Sequence, residues 1–123
     1  TGWHVPSDDE WKQLEMYLGM SQFAADQTSW RGTDEGGKLK ESGTTHWLSP
    51  NTGATNERGF SALPGGTRGS NGNYASVGYG IFWSSTEGSI NHAWSRWLSY
   101  NSSVVFRISM LEGYGLSVRC VKD

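Results

Sequence analysis

Cysteine and proline are scarce in this chain of 123 residues, which contains one Cys and three Pro. A single thiol cannot form a disulfide within the chain, so cysteine pairing neither stabilises the fold nor indicates a redox compartment. Cys120 lies in an apolar segment. We expect it to be a small buried hydrophobic residue rather than a nucleophile.

Charge and long apolar runs are scarce as well. Ten Lys and Arg against twelve Asp and Glu give a formal charge of −2. This weak acidity argues against nucleic acid as a main partner, because nucleic-acid-binding domains usually carry a basic stripe. No apolar run approaches the roughly 20 residues that a membrane-spanning helix needs, so membrane insertion is not expected. The first residue is Thr1 rather than Met, which favours a processed or excised piece of a longer protein.

Aromatic and turn-forming residues are abundant. Seven Trp, five Tyr and four Phe provide more aromatic surface than a disordered chain carries. Gly, Ser and Asn account for 40 residues, and these residue types favour turns and loops over helix interiors. We therefore predict a single globular domain over residues 1–123, in which large aromatic side chains anchor long Gly/Ser/Asn-rich loops.

The N-terminal segment predicts one capped helix over residues 8–18. Ser7 and Glu10 have the spacing of a capping box, in which each side chain accepts a hydrogen bond from the backbone N–H of the other residue. Asp8 and Asp9 place negative charge at the positive end of the helix dipole. Capping therefore explains the acidic cluster better than a carboxylate site for metal binding or acid–base chemistry. The apolar stripe is Trp11, Leu14 and Leu18, and the stop is Gly19.

The rest of the chain predicts loops followed by a twisted antiparallel sheet, which makes the fold class α+β. Residues 20–58 indicate mainly loop with a short helical turn at 36–40, because glycines interrupt every longer pattern. In the C-terminal half, apolar and polar residues alternate between turn signals, and two of the strands form a hairpin around residues 101–103. The expected loop anchors are Phe23, Trp30, Leu39 and Trp47, and the expected strands are 60–63, 80–85, 93–100, 104–110 and 116–121.

Four blocks of residues occur in the order typical of one bacterial family, and they are spread over almost the whole chain. The blocks are residues 2–7 (GWHVPS) with Glu10 and Trp11, residues 59–66 (GFSALPGG), residues 82–87 (FWSSTE) and residues 116–121 (LSVRCV). On these motifs the sequence resembles the Fibrobacter succinogenes major paralogous domain family.

The resemblance implies a variant of the C-type-lectin-like fold, which is related to formylglycine-generating enzymes and to phage-type variable receptor domains. Members of the family are typically secreted or surface-attached bacterial proteins, so the resemblance also implies an extracellular or cell-surface location. They usually carry further residues, including a strand, before the Gly-Trp-His block. Because this chain starts at that block, we expect part of the usual sheet to be missing or supplied differently.

The residues that catalysis in the related enzymes would require are missing from the sequence pattern. Formylglycine generation needs a redox-active cysteine pair, and oxygen chemistry on iron needs clustered histidines. The chain has one cysteine, and His4, His46 and His92 lie far apart without ligand-like spacing. No serine stands in a nucleophile-elbow context. We expect no catalytic residue and no enzyme, and a formylglycine-generating-type activity is the least favoured alternative.

The last hairpin provides the candidate ligand-binding residues. Trp94 and Leu98 share one face, which we assign to the core, so the period of two places Trp97 on the opposite face. An apolar row there would mark an interaction site, and the related variable receptors present ligand contacts from the equivalent end of the domain. A register error of one residue would instead make the row part of the core, and that alternative stays open. The candidate ligand-binding residues are Ser95, Trp97, Tyr100, Phe106, Ile108 and Met110.

Two further binding chemistries stay open. The loops contain oxygen-bearing side chains of the type that a hard cation prefers, which leaves a structural calcium ion as an alternative to no cofactor. No 12-residue calcium loop and no Glu-Pro-Asn sugar-binding triplet occurs, however. Aromatic side chains in the loops would either stack on sugar rings or anchor the loops. The calcium candidates are Asn51, Asn56, Glu57, Asn71 and Asn73, and the aromatic candidates are Trp30, Trp47, Tyr74 and Tyr79.

The sequence therefore predicts a non-enzymatic extracellular or cell-surface recognition module that binds a protein or a glycan. The alternative is a structural subunit or adhesin domain of a surface fibre, which would self-associate through the apolar face of the C-terminal hairpin.

Overall fold

The computed structural model describes residues 2–123. In this part of the chain, three short helices near the N-terminus are combined with antiparallel sheets that lie mainly in the C-terminal half. No helix in the described range is both long and apolar enough to cross a membrane. The elements are β1 (Trp3–His4), α1 (Asp8–Tyr17), α2 (Gln22–Ala25), β2 (Ser29–Arg31), α3 (Glu35–Leu39), β3 (Thr67–Arg68), β4 (Tyr74–Ala75), β5 (Tyr79–Ser89), β6 (His92–Ser99), β7 (Val105–Leu111) and β8 (Val121–Lys122).

Helix α1 confirms the predicted capped helix to within one residue. Ser7 Oγ accepts from the Glu10 N–H at 3.1 Å, and Glu10 Oε2 accepts from the Ser7 N–H at 2.8 Å, which completes the capping box. At the other end, Gly19 has a φ of 121° and donates its N–H to the Met16 carbonyl. Only glycine adopts this φ at low cost, so Gly19 ends the helix as predicted.

The main sheet has the strand order β2-β7-β6-β5, and all neighbours are antiparallel. Strands β6 and β7 confirm the predicted hairpin, with Trp97 opposite Phe106. Strand β2 adds an edge strand from a region predicted to be loop, and places Trp30 on the other side of Phe106. Three residues are too few for an alternating pattern, so only the pairing partner reveals this strand.

Two predicted strands are wrong. Residues 60–63 form only an isolated bridge between Ala62 and Lys40. In the segment 116–121, only Val121 belongs to a strand, β8, which pairs with β1. Neither segment pairs along its length: residues 60–63 meet only Lys40, which lies in no strand, and the segment before Val121 meets β5 only through Ser117.

Cys120 is exposed, which contradicts the prediction that it is a buried residue. The segment that precedes it bridges strand β5 through Ser117 and then runs along the surface, where Val118 is 52% exposed. Because residues 116–120 have no sheet on either side to cover them, their alternation does not bury the thiol.

Two further short helices follow α1. Helix α2 lies in a segment predicted to be loop, whereas α3 confirms the predicted short helical turn at 36–40 to within one residue. Gly36 and Gly37 allow α3 to lie directly against other backbone. A Cβ atom at these positions would collide with the carbonyl oxygens of Val104 and Gly53, respectively. The two glycines therefore position α3, although they disfavour helix when considered alone.

Two of the four predicted loop anchors are confirmed. Leu39 and Trp47 are each 1% exposed and belong to the hydrophobic core. Phe23 and Trp30 are 79% and 44% exposed, so neither is an anchor. The sequence does not separate the buried anchors from the exposed residues, because a large apolar residue in a Gly-rich segment has the same local pattern whether it is buried or exposed.

Five buried charges lie between α1 and the inner face of the sheet, and each is at most 6% exposed. Asp8 accepts hydrogen bonds from Arg96 at 2.7 Å and from Arg107 at 2.6 Å. Glu15 accepts from Arg31 at 2.7 Å and from Arg96 at 3.1 Å. Burial by itself raises the pKa of Asp8, but the hydrogen bonds of Arg107 and the charge of Arg96 outweigh it and hold that pKa below 3.8.

This ion network decides which face of the sheet is turned inward. Arg96 and Arg107 lie opposite each other in β6 and β7, and both reach towards α1. Leu98 and Val105, at alternate positions on the same strands, are 2% and 0% exposed. Trp94 is half-buried on this inner face, with its ring 3.8 Å from the Arg107 guanidinium. The residues between them therefore face outward, away from α1.

Candidate binding surface

The outward face of the main sheet carries the apolar row that the hairpin pattern predicted. Directly opposite residues share a face, and the pairs on this side are Trp97 with Phe106, Ser95 with Ile108, and Met110 with an alanine. The predicted register of the hairpin is therefore confirmed. Whether this face binds a ligand stays a prediction.

Aromatic rings from all four strands form a continuous line across this face. The ring of Trp30 in β2 lies 4.8 Å from that of Phe106, which lies 5.4 Å from that of Trp97. Tyr79 of β5, which lies diagonally across from Trp97, follows at 6.0 Å. Neighbouring strands are about 4.8 Å apart, so rings at paired or diagonal positions meet in this way. We call Trp30, Phe106, Trp97 and Tyr79 the aromatic row. Tyr100 was also predicted as a contact residue, but it follows the end of β6 and packs against the hydrophobic core.

The exposure of the outward face changes from one edge to the other. Trp30 and Ile108, towards the β2 edge, are 44% and 38% exposed. Trp97, Phe106 and Met110 are half-buried. Ile81, on the β5 side of the same face, is completely buried. The face is thus part surface and part core, with its open part around β7 and β2.

Ser95 was predicted to contact a ligand, and this prediction is wrong, because its side chain is completely buried. Its hydroxyl donates to the Ile108 carbonyl at 2.8 Å and accepts from Trp97 Nε1 at 3.2 Å. A serine between two large side chains lies below their surface. Ser95 therefore holds the Trp97 ring in place and is not available to a ligand.

The outward positions of β2, β6 and β7 are uncharged. They are occupied by aromatic, aliphatic, alanine and serine side chains, whereas the arginines of the same strands point inward to Asp8 and Glu15. The hydroxyl of Tyr79 forms no hydrogen bond with the described residues and is not a buried unpaired group. The face therefore offers aromatic surface with a polar group at one end.

The aromatic residues that the sequence suggested as a sugar platform do not lie together. Trp30 and Tyr79 belong to the aromatic row. Trp47 is sealed in the core, where its Nε1 donates to the Ala62 carbonyl at 2.9 Å. Tyr74 is 81% exposed on β4, which pairs only with β3 and not with the main sheet. No sequence signal distinguished Trp30 and Tyr79 from the other two, because strand pairing alone brings them to one face.

The calcium candidates do not converge either. Asn51 donates through Nδ2 to the carbonyls of Glu41 and Gly43, and Asn71 Oδ1 accepts from the Asn73 N–H at 3.0 Å. Among residues 2–123 no three His, Cys, Asp or Glu side chains come close enough to hold a metal ion. The remaining candidates also have local partners: Asn56 contacts Ser61, and Glu57 lies 3.7 Å from Lys38.

A buried lysine, which the sequence did not suggest, holds the loops together. Lys40 is completely buried, and its ammonium donates to the carbonyls of Thr52, Ser99 and Ser102 at 2.8–2.9 Å. Desolvation lowers the pKa of Lys40 from 10.5 to about 8, so the side chain is still charged at neutral pH. A positive charge bound by carbonyl oxygens thus links the 43–58 loop to the end of β6.

Apart from the outward sheet face, a groove with a volume of about 360 Å³ lies between α1 and β8. Trp11, Leu14 and Phe60 contribute apolar surface, and the Arg119 guanidinium lies 4.5 Å from the Phe60 ring. The exposed thiol of Cys120 also lines this groove. Its lining is more mixed in charge than the outward sheet face, because Glu10 and Lys122 line it as well.

Comparison with models of known protein families finds a match. The model of a family described as Fibrobacter succinogenes major domain matches residues 1–122. No curated protein and no solved structure matches the chain.

Proposed function

Because the chain belongs to the Fibrobacter succinogenes major domain family, we propose that it is a non-enzymatic recognition module of a secreted or cell-surface protein. In this proposal the domain has a C-type-lectin-like architecture and binds a protein or a glycan through the outward face of its main sheet. Fold and chemistry are separable, so a scaffold shared with enzymes does not imply their activity.

One observation carries the proposal. The open part of the outward face combines half-exposed Phe106, Trp97 and Met110 with exposed Trp30 and Ile108, and the outward positions of its three strands carry no charge. Exposed apolar patches of this kind commonly mark interaction sites on soluble domains. Rigid aromatic residues at the centre of such a patch contribute most of the binding energy in known interfaces.

The test places a charge on the face. Ile108→Glu introduces a carboxylate that a ligand would have to desolvate, so we expect binding to protein and glycan arrays to fall at least tenfold. Ile90→Glu is the matched control, because Ile90 is 85% exposed in the turn between β5 and β6. Both variants should keep the far-UV circular dichroism of the parent. Equal binding by Ile108→Glu and the parent would contradict the proposal.

A structural subunit of a surface fibre is the second candidate, and one observation favours it. Strand β2 pairs only with residues 105–107 of β7, so the ladder of β7 from Ile108 to Leu111 has no partner strand on that side among the described elements. Open edges of this kind pair with other chains. Light scattering distinguishes the two candidates, since a fibre subunit should assemble with increasing concentration and a recognition module should stay monomeric.

A further inference from the structure

We propose that the ligand of the outward face is a neutral carbohydrate chain, which lies across the strands along the aromatic row. This inference rests on the proposed function and names the ligand class for the same face. It commits to a single soluble glycan chain rather than to a protein or a crystalline polysaccharide.

The direction of the ligand follows from the line of rings. Trp30, Phe106, Trp97 and Tyr79 each belong to a different strand, and their centroids follow one another at 4.8, 5.4 and 6.0 Å. An extended chain that crosses the sheet would therefore meet Trp30 at the open β2 edge first, and then the half-buried rings of the row. Flat aromatic faces with polar edges are well suited to sugar rings, which have apolar faces and hydroxyl rims.

The tilt of the rings indicates a single chain. Neighbouring rings of the row are inclined by 48° to 74°, so the surface is corrugated instead of flat. A crystalline polysaccharide presents a flat plane of sugar rings, which would touch only the edges of such a surface. A single flexible chain can follow it.

The distribution of charge indicates that the glycan is neutral. All three arginines of β2, β6 and β7 are turned inward, and they are paired with Asp8 and Glu15. The outward positions of the same strands offer no cation to a uronic acid, sulfate or phosphate group. A charged sugar bound there would lose hydration without gaining a partner, which is costly.

The polar group of the row favours a glycan over a protein surface. The hydroxyl of Tyr79 has no partner among the described residues, and a dry apolar interface would bury it unsatisfied. A sugar hydroxyl would pair with it. The Trp97 ring is already fixed by its hydrogen bond to Ser95, so little conformational entropy is lost on binding.

Affinity electrophoresis in native gels tests the inference with defined probes. The neutral probes are hydroxyethylcellulose, xyloglucan, galactomannan and soluble β-glucan, and the charged probe is polygalacturonate. We expect at least one neutral polysaccharide to retard the protein, polygalacturonate to have no effect, and insoluble crystalline cellulose not to remove the protein from solution.

Variants connect the retardation to the row. Trp30→Ala should weaken the affinity about tenfold because it removes an exposed ring. Tyr79→Phe should weaken it about fivefold, since it removes one hydroxyl and leaves the packing intact. Tyr74→Ala is the matched control and should bind as the parent does, because Tyr74 is exposed on a different sheet.

Each outcome is decisive. Retardation that Trp30→Ala and Tyr79→Phe leave unchanged overturns the inference, as does preferential retardation by polygalacturonate or no retardation by any neutral probe. If no probe retards the protein but a purified protein ligand binds and Ile108→Glu abolishes that binding, the proposed function stands and the glycan assignment falls. If Ile108→Glu affects neither kind of ligand, both fall.

Discussion

Asp8 pairs with two buried arginines, of which Arg96 also contacts Glu15, whereas Arg107 has no other carboxylate partner among the described residues. We predict that Asp8→Asn lowers the free energy of unfolding by about 3–5 kcal/mol, because the charges of Arg96 and Arg107 would lose their shared carboxylate. Asp9→Asn is the control: its side chain is 87% exposed, and it also removes one negative charge from the first turn. We expect Asp9→Asn to change stability by less than about 0.5 kcal/mol. Urea denaturation measures the free energy of unfolding of both variants. Equal losses would show that Asp8 stabilises the protein only as a negative charge at the N-terminus of the helix.

The same carboxylate predicts a sensitivity to acid. Because the pKa of Asp8 lies below 3.8 in the folded protein, its contribution to stability is complete above that value and is lost as the pH falls through the lower folded-state pKa. The difference in free energy of unfolding between the parent and Asp8→Asn should therefore shrink below about pH 4. A constant difference down to pH 2 would show that the pKa of Asp8 is not lowered in the folded protein.

His4 connects the two ends of the described chain. Its ring nitrogens lie 2.7 Å from Asp123 and 2.8 Å from Glu10, and hydrogen bonds with these carboxylates raise the pKa of His4 above 6.5. The contribution of the contact to stability is thus complete below pH 6.5 and disappears as the pH rises through the raised pKa. In an NMR titration, we predict that Asp123→Asn lowers the midpoint of His4 and that Glu112→Gln leaves it unchanged. An unshifted midpoint in Asp123→Asn would contradict the role of the aspartate.

At the scale of elements, α3 shows a conflict between local preference and tertiary packing. Alanine favours helix over glycine by about 1 kcal/mol, so Gly37→Ala would stabilise an isolated helix. In this fold the new Cβ would collide with the Gly53 carbonyl, a backbone atom that a change of side-chain rotamer cannot move aside. We predict that Gly37→Ala destabilises the protein by about 1–3 kcal/mol in thermal or chemical denaturation. Gly113→Ala, where the closest atom is Ser70 Cβ at 3.8 Å, should be nearly neutral.

Strand β2 shows why the candidate surface could be only partly predicted. The hairpin β6–β7 has enough residues for its period of two to separate an arginine-bearing inner face from the Trp97–Phe106 face, and both faces were placed correctly. Trp30 lies in a three-residue strand without any pattern of its own. It joins the row only because β2 pairs with β7, and that pairing connects segments about 75 residues apart.

At the scale of the whole molecule, Lys40 links three segments through backbone carbonyls. Its folded-state pKa of about 8 lies below its unfolded value of 10.5, so between these values the unfolded chain binds more protons than the folded one. Stability should then rise with pH across this range. We predict that this rise is present in the parent, is lost in Lys40→Met, and is kept in the exposed-lysine control Lys122→Met. Free energies of unfolding from pH 7 to 10.5 measure it, and parallel curves for the parent and Lys40→Met would contradict the prediction.

Local patterns were sufficient for three features of this protein: the two ends of α1, the hairpin with its two faces, and the family to which the chain belongs. The first two depend on residues a few positions apart, where capping and side-chain alternation are decided by short-range geometry, and the family is identified from four short blocks that need no knowledge of their contacts. Tertiary structure alone decided that Asp8 meets Arg107 across 99 residues, that Trp30 extends the aromatic row, and that Cys120 is exposed. A carboxylate, an indole or a thiol has the same local sequence pattern whether it is buried or exposed, because its environment is supplied by segments that are distant in the chain.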